Sequence, residues 1–312
     1  MIKVALGLLV RAVVVLFGTA IITFALLWNA PGDPAQAIAM ARFDALLTED
    51  VIDQVRREVG LDTNFWTAFR EWIGPLLVLD FGHSSVTGRP VWPDLWTAIT
   101  YTFPLALASL VIGLFVSLPL AILATRHPGG VVDRCAVAIA SLGTAIPAFW
   151  LGLLLILLFA VQLNWLPAMG ARTSAHAILP ALTLGLGAAA LLTRIIRSGI
   201  LEAREQAFLP AFQRRGVSKG EIGRDHIALH AAVPVVTVVG LELAFLLEGL
   251  VVIEVIFGRP GLGTFLTQAI VARDFPHVQA VVVITALVFV TVNLVIDLSY
   301  RQIDPRIGEH DA

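Results

Sequence analysis

Charged residues are scarce in this chain. Asp, Glu, Lys and Arg make up 14% of its 312 residues, whereas soluble domains carry roughly 25%. Hydrophobic residues account for 58% and the mean hydropathy is +0.87, so most of the surface does not face water. The net charge of -2 provides no basic surface, and we therefore exclude nucleic acid as a partner.

Cysteine is almost absent, since Cys135 is the single one in the sequence. One cysteine excludes an intramolecular disulfide and a cysteine-cluster metal site. It lies in an apolar run, which predicts a buried and unreactive thiol. His226 and His230 are four residues apart and could hold a metal on one helix face, but no third ligand is evident. We predict an ordinary helix surface there and no metal site.

A phosphate-binding loop is also missing. Gly261-Leu262-Gly263 resembles a fragment of one but lacks the GxxxxGK[ST] frame that cradles phosphates. We interpret these residues as a surface turn. The chain is therefore expected to bind no cofactor, and any energy from ATP must come from a partner.

Six apolar segments each exceed the roughly 20 residues that a membrane-spanning helix needs. They cover 4–28, 98–125, 132–162, 177–198, 231–257 and 278–299. These segments predict an all-α, polytopic membrane protein with six transmembrane helices. A cleaved signal peptide is the alternative for the first segment, but its apolar core would be about 7–15 residues and this one is longer.

A polar interval, 30–97, is too long to be a simple connection between spans. Within it, Val51, Ile52, Val55 and Val59 follow a helical spacing and Thr48 is a suitable N-cap. We predict a helix there and a second one over 64–73. The interval is thus expected to form a small folded cap.

These boundaries divide the chain into a first transmembrane helix (1–29), the cap (30–97) and a five-helix core (98–312). Six spans bring both termini to the same side of the membrane. Most basic residues outside the cap belong to the termini and to the connections on that same side. The positive-inside rule therefore predicts cytoplasmic termini and an external cap.

The most strongly charged region, 201–230, lies between the fourth and fifth spans and is called the charged segment below. Ser218 and Glu221 have the spacing of a capping box, in which each side chain bonds the other residue's amide. Gly216 suits the left-handed conformation that ends a helix. The pattern predicts a short helix over 210–215, a glycine turn and a capped helix.

Three apolar side chains lie within the charged segment, namely Phe208, Leu209 and Phe212. Exposed apolar residues ringed by charge are typical of a partner-binding surface. Alternatively, they fold back on the transmembrane helices. The residues alone leave both interpretations open, but a water-soluble segment of this size indicates contact with something outside the bilayer.

Short motifs in a fixed order carry a resemblance to a known family. They are PGDPA (31–35), GLD (60–62), DFG (80–82), TGRPV (87–91), IPAFWLGLLLILLF (146–159), NWLPAMG (164–170), HAILPALTLGLG (176–187), PGLG (260–263), ARDFP (272–276) and DPRI (304–307). The ordered set resembles the integral-membrane permease subunit of binding-protein-dependent ABC importers, in the branch that handles dipeptides, oligopeptides and nickel.

The resemblance implies a type I importer permease fold in the bacterial inner membrane. It also implies a homologous second permease subunit, two cytoplasmic ABC ATPase subunits that use ATP and Mg, and an extracytoplasmic substrate-binding protein. The expected function is to form half of the pathway for di- or oligopeptides. Import of nickel or a metal chelate is the alternative.

In that family the charged segment is the coupling loop, which inserts a short helix into a cleft of the ATPase. The resemblance assigns this role to Phe208, Leu209, Pro210, Ala211, Phe212, Arg214, Arg215 and Gly216. The chain departs from the family at Pro210, where a polar or charged residue is usual, and at Phe212, where a small one is usual.

Glu248 and Gly249 are the candidates for the substrate pathway. An ionisable group inside a span usually lines a water path or pairs internally, and the family commonly has a small residue at Glu248. We expect a pathway that favours cationic cargo. A structural ion pair or an interfacial position is the alternative.

Two functions of other classes compete with transport by an ABC importer. An intramembrane enzyme would need paired catalytic groups, such as a serine and a histidine, and none stands out. A secondary carrier would show inverted repeats, and no clear repeat is found. We therefore predict a transporter subunit that is not an enzyme.

Overall fold

The computed structural model describes residues 2–43, 48–206 and 209–303, and nearly all of them are helical. The helices are α1 Ile2–Trp28, α2 Pro34–Phe43, α3 Glu49–Glu58, α4 Phe65–Leu76, α5 Val91–Ala124, α6 Val131–Ala145, α7 Ala148–Leu155, α8 Ile178–Arg204, α9 Leu209–Arg214, α10 Lys219–Glu221, α11 Ala228–Ile256, α12 Leu262–Val271 and α13 Phe275–Ile303. Within these ranges, β structure is limited to one isolated bridge between His83 and Pro90. The predicted all-α class is confirmed.

Five described helices are long and apolar enough to cross a membrane, namely α1, α5, α8, α11 and α13. The candidate spans number six if α6 and α7 together form one bent span; α7 is continued by the π-helical stretch Ile156–Gln162, and the bend between the two helices is 99°. The sequence predicted one span here with Pro147 near its middle. Because proline cannot donate the next helical hydrogen bond, Pro147 instead ends one helix and precedes another.

Three helical features were not predicted. Pro34 is the first residue of α2, a position where the missing amide costs nothing, and Asp33 accepts the Ala35 amide at 2.9 Å. Helix α12 follows Gly261 directly, so the predicted surface turn is the start of a helix. Helix α5 begins at Val91, seven residues before the predicted second span.

The chain divides into two compact units. The first unit comprises Met1–Thr102 and Pro260–Thr291. Here α2 and α3 form a small core of Ala35, Ile38, Ala39, Ile52 and Val55. The predicted helix is confirmed as α3, in which Ile52 and Val55 are buried and Val51 is half-buried. The second predicted helix is confirmed as α4, which runs three residues further than expected.

The second unit comprises Phe103–Arg259 and Val292–Ala312. Its core lies among α5, α8 and α11 and includes Leu105, Leu192, Leu250 and Phe257. Gly185 of α8 allows close contact with α5, because an added Cβ would lie 2.9 Å from the Ser109 carbonyl oxygen. Small residues at helix crossings are typical of membrane bundles, where van der Waals packing replaces the hydrophobic effect.

Cys135 is exposed on α6, so the prediction of a buried thiol is wrong. Its neighbours Asp133 and Ala136 are buried instead. The apolar run around Cys135 belongs to a helix with only one side covered by this chain, and Cys135 lies on the other side.

Candidate functional site

The charged segment starts within the last turn of α8, which ends at Arg204. Three helix ends are tied together where it starts. Arg197 Nε and Nη2 donate to the two carboxylate oxygens of Asp133 at 2.5 and 2.7 Å, and the Gly129 amide donates to the same carboxylate at 2.8 Å. Arg204 donates to the Thr125 carbonyl oxygen. The ends of α5 and α8 and the start of α6 therefore form a fixed base for the segment.

The segment itself has the predicted order of elements. Helix α9 covers Leu209–Arg214, and Gly216 has a φ of 79°, which glycine adopts without steric cost. The Glu221 amide donates to Ser218 Oγ at 3.2 Å, and the Ser218 amide donates to Glu221 Oε2 at 3.4 Å. The predicted short helix, glycine turn and capping box are confirmed.

The predicted coupling residues have different environments. Leu209 is 5% exposed and Phe212 is half-buried, whereas Arg214 and Arg215 are exposed. Leu209 thus follows the alternative in which an apolar side chain folds back on the chain. Phe208 lies outside the described residues, and Pro210 and Ala211 lie within α9. The docking role of this set stays a prediction.

Helix α11 has one exposed stripe with a glutamate at its centre. Residues Leu241, Phe245, Glu248, Val252 and Val255 recur every three or four positions and are all exposed. The remaining surface of α11 carries buried residues of the core, among them Leu246, Leu250 and Ile253. Glu248 therefore faces away from the core of its own unit.

Glu248 and Gly249 lie on different sides of α11. Glu248 is exposed, and no salt bridge to it is found among the described residues. An added Cβ at Gly249 would lie 3.1 Å from Leu184 Cδ2 of α8. Gly249 thus lets α8 approach α11 closely, and the pathway role of Glu248 and Gly249 stays a prediction.

A second polar site, in the first unit, was missed by sequence reasoning. Asp274, which precedes α13, is 3% exposed. It accepts hydrogen bonds from Ser84 Oγ, from the Ser85 amide at 3.0 Å and from His277 Nδ1 at 2.6 Å. His277 Nε2 lies 4.0 Å from Asp94 Oδ2. We call Ser84, Ser85, Asp274 and His277 the Asp274 cluster.

The family motifs meet at this cluster. Asp274 belongs to ARDFP, and its neighbour Arg273 donates to the Pro31 carbonyl oxygen of PGDPA. The loop that contains Ser84 and Ser85 lies between DFG and TGRPV. Ser84 and Ser85 themselves lie outside the motifs, so no sequence signal linked them to Asp274, about 190 positions away.

The Asp274 cluster has the residue types of a hydrolytic triad but the wrong connections. A nucleophilic serine bonds a histidine, which a carboxylate then orients. Here Ser84 Oγ and His277 Nδ1 both bond the same Asp274 oxygen. Ser84 is 3% exposed, so no substrate reaches it. The cluster joins elements and does not activate a nucleophile.

The pKa of Asp274 lies below its ordinary value. Burial would raise this pKa, but the hydrogen bonds from His277 and Ser84, the charge of protonated His277 and the Ser85 amide together outweigh burial. The ionised carboxylate is therefore the form that holds the cluster together.

Metal binding has no support in the part of the chain that the structure describes. No three His, Cys, Asp or Glu residues there are grouped so that they could hold a metal ion. The side chains of His226 and His230 lie outside the described ones.

Comparison with protein families gives two adjoining matches. Residues 117–309 match the family described as the binding-protein-dependent transport system inner membrane component. Residues 1–108 match the N-terminal region of membrane components of the same transport systems. The two matches together account for nearly the whole chain.

Curated relatives have similar length and sequence. The chain is 36% identical over 292 residues to the glutathione transport system permease protein GsiC of Escherichia coli strain K12. It is equally similar to the protein of that name from Shigella dysenteriae serotype 1. Each alignment covers 94% of this chain and 94% of the relative.

Solved structures share the fold at lower identity. An inward-facing MetNI methionine ABC transporter aligns with a TM-score of 0.56 and 20% identity over 68% of this chain and 98% of that chain. A crystal structure of an amino acid ABC transporter with histidines aligns with a TM-score of 0.54 and 19% identity over 68% and 94% of the two chains.

Proposed function

Because the chain belongs to the family of binding-protein-dependent transport system inner membrane components, we propose that it forms half of the pathway for di- or oligopeptides in an ABC importer. It is a multi-pass permease subunit with the type I importer fold, and not an enzyme. The observation that carries the cargo proposal is the 36% identity to permeases named for glutathione, which is itself a small peptide.

The proposed assembly has four kinds of partner. A homologous permease supplies the other half of the pathway, and two ABC ATPases supply the energy from ATP and Mg. A substrate-binding protein delivers the cargo. This chain binds no cofactor, and both termini lie in the cytoplasm with residues 30–97 on the external side.

The charged segment is proposed to couple ATPase closure to the spans. Its support is a stiff connection: the capping box and Gly216 define the shape of the segment. The Asp133–Arg197 ion pair ties the start of α6 to α8. A push on α9 would therefore reach α8 and α6 together. Exposed Arg214 and Arg215 would contact an acidic surface of the ATPase.

Glu248 is proposed to line the pathway. A lone carboxylate on an otherwise apolar exposed stripe is costly in lipid. It is tolerated where the stripe faces the second permease across a water-filled space. Leu241, Phe245, Val252 and Val255 would then form the contact on either side of this opening.

Charge reversal at Arg214 and Arg215 tests the coupling proposal. We expect the Arg214→Glu, Arg215→Glu double variant to lose ATP-driven uptake of a labelled peptide roughly tenfold or more, since charge reversal at an interface costs several kcal/mol. Co-purification of the ATPases should fall with it. Arg126→Glu, in the exposed α5–α6 connection, is the matched control. Normal uptake with bound ATPase would show that the charged segment is not the coupling loop.

Cargo is tested with the intact importer in proteoliposomes. Uptake of a labelled dipeptide and of glutathione is compared with uptake of nickel and of a nickel chelate, each delivered by the cognate binding protein. We expect competition among peptides and none from nickel. Uptake of nickel alone would replace the peptide proposal by its alternative while leaving the importer assignment intact.

A further inference from the structure

Three consecutive apolar residues at the end of α4 are conspicuously exposed. Leu77, Val78 and Leu79 are 83%, 78% and 54% exposed. A run of exposed apolar residues in a folded protein marks a contact with another apolar phase or partner. Residues 77–79 are called the α4 tip below.

Helix α4 packs lengthwise on the first transmembrane helix. The Phe65 ring lies 6.0 Å from the ring of Trp28, at the end of α1, and 5.3 Å from Phe24. The Phe69 ring lies 5.3 Å from Phe24 and 6.1 Å from Phe17. As α4 advances along the chain, its contacts move back along α1, so the two helices are antiparallel. The chain leaves the membrane along α1, and α4 therefore leads it back towards the membrane.

Two tryptophans define the level of the interface. Trp28 ends the apolar span Val10–Trp28, and Trp66, at the start of α4, is 68% exposed. Tryptophan is enriched at the headgroup level of membranes. From Trp66 to Leu77 the helical rise adds up to about 16 Å. The α4 tip thus lies on the membrane side of Trp66.

The return of the chain limits how deep the tip goes. The Val91 amide donates to the Gly82 carbonyl oxygen at 3.0 Å, which ties Gly82 to the start of α5. Trp92 and Trp96 there are exposed, as expected at the headgroup level. Three residues from Leu79 to Gly82 span at most about 10 Å. The tip therefore lies at most about 10 Å below the interface.

The backbone of the tip suits an apolar environment. The amides of Leu77, Val78, Leu79 and Asp80 donate to the carbonyl oxygens of Gly74, Pro75, Leu76 and Pro75 at 2.9–3.2 Å. Amides that are paired within the segment avoid the cost of entering lipid unsatisfied. Arg70 and Glu71 are exposed on α4, but helical side chains tilt towards the N-terminus. They can therefore extend back to the headgroups.

We propose that the α4 tip inserts into the acyl chains of the leaflet at the Trp28 end of α1, as a re-entrant, membrane-anchoring contact of the 30–97 region. This region is then not wholly surrounded by water. The alternative occupant of the tip would be a partner protein such as the substrate-binding protein. The continuous contact with α1, itself largely exposed, favours lipid.

A fluorescent probe on the tip tests the proposal in the intact importer in liposomes. In a Cys135→Ser background, an NBD label is attached to Leu77→Cys or to the control Asp53→Cys, which is exposed on α3. We expect the label at Leu77→Cys to emit at shorter wavelength, to be quenched by lipids with a doxyl group near the headgroup, and to resist aqueous iodide. The control should show the reverse.

Two outcomes would overturn the proposal. In one, iodide quenches both labels equally, which means that water surrounds the tip. In the other, the label at Leu77→Cys is protected only after the binding protein is added. A second measurement uses a membrane-impermeant maleimide, which we expect to react roughly tenfold more slowly at Leu77→Cys, because the reactive thiolate needs water. Equal rates would also contradict lipid insertion. None of these results bears on the proposed transport function.

Discussion

The two compact units are held together by different chemistry. In the second unit, α5 and α8 approach closely because glycine and alanine lie at their crossing, as at Gly113, Gly185 and Ala188. In the first unit, segments far apart in sequence are joined by the buried carboxylate of Asp274. Helices that pack along their length are thus joined by close contact between small residues, whereas loops are joined by hydrogen bonds to a shared carboxylate.

The physical reason is that helices in a membrane and loops with unpaired backbone amides need different kinds of contact. Between helices in lipid there is no hydrophobic gain from association, so close van der Waals contact has to supply the stability. In the 30–97 region, loops carry many backbone amides that need partners. One ionised carboxylate can accept hydrogen bonds from several amide and hydroxyl groups. The Asp274 cluster uses this capacity to fix the loop around Ser84 to the start of α13.

Removal of Asp274 should produce the largest effect. Asp274→Ala leaves the Ser84 hydroxyl, the Ser85 amide and the His277 ring without their acceptor in a buried place. We expect a loss of about 3 kcal/mol in the free energy of unfolding, measured from thermal unfolding of the purified protein in one detergent. Asp80→Ala is the control, because exposed Asp80 accepts one amide, from Gly82. Equal losses in both variants would show that the cluster does not hold the first unit together.

A methyl group at Gly185 should have the next largest effect, in the second unit. In Gly185→Ala the new Cβ would meet the Ser109 carbonyl oxygen at 2.9 Å and Ile112 Cβ at 2.8 Å, so α5 and α8 must separate. Gly187→Ala, two residues on in the same helix, meets no atom within 4 Å. We expect Gly185→Ala to be less stable than Gly187→Ala by about 2 kcal/mol in the same unfolding assay. If the two are equally stable, close contact is not what joins these helices.

Acid should weaken the first unit in a way that depends on Asp274. A carboxylate whose folded pKa is lowered contributes stability above its ordinary pKa, about 3.9, and loses it as the pH falls through the lowered value. We therefore expect the melting temperature to fall below about pH 4, and the fall to be shallower in Asp274→Asn. Asp94 and Arg89, an ion pair beside His277, are present in both proteins. Identical profiles would show that another group titrates.

Local patterns predicted the elements that depend on neighbouring residues. The capping box of Ser218 and Glu221, the turn at Gly216 and the buried face of α3 all follow from spacing along one segment. The six apolar segments were equally visible, because a span needs a continuous run. These features are local, and the chemistry that forms them is contained in the sequence around them.

Other features could not be predicted because their cause lies elsewhere in the chain. Proline and glycine end helices in one context and begin them in another. The structure shows that Pro34 and Gly261 stand at helix starts. Pro147 indicates where a helix can break, but its presence does not specify the 99° angle between the two helices. The Asp274 cluster joins residues about 190 positions apart, and no local pattern specifies that contact. The contact between Gly249 and Leu184 of α8 likewise joins two distant helices.

The smallest effect is expected at the capping box of Ser218 and Glu221. These hydrogen bonds belong to the second unit and are exposed, whereas those of the Asp274 cluster in the first unit are buried. Ser218→Ala removes the acceptor of the Glu221 amide, a loss worth about 1 kcal/mol. The Glu221 amide should then exchange with solvent about fivefold faster, since 1 kcal/mol is about a factor of five in an equilibrium. Ser198→Ala is the control, because Ser198 Oγ donates to the Glu202 side chain at 3.0 Å within an unbroken helix. Unchanged exchange at Glu221 in Ser218→Ala would mean that the segment keeps its shape without the cap, and the rigid connection proposed for coupling would have to come from Gly216 and the helix ends alone.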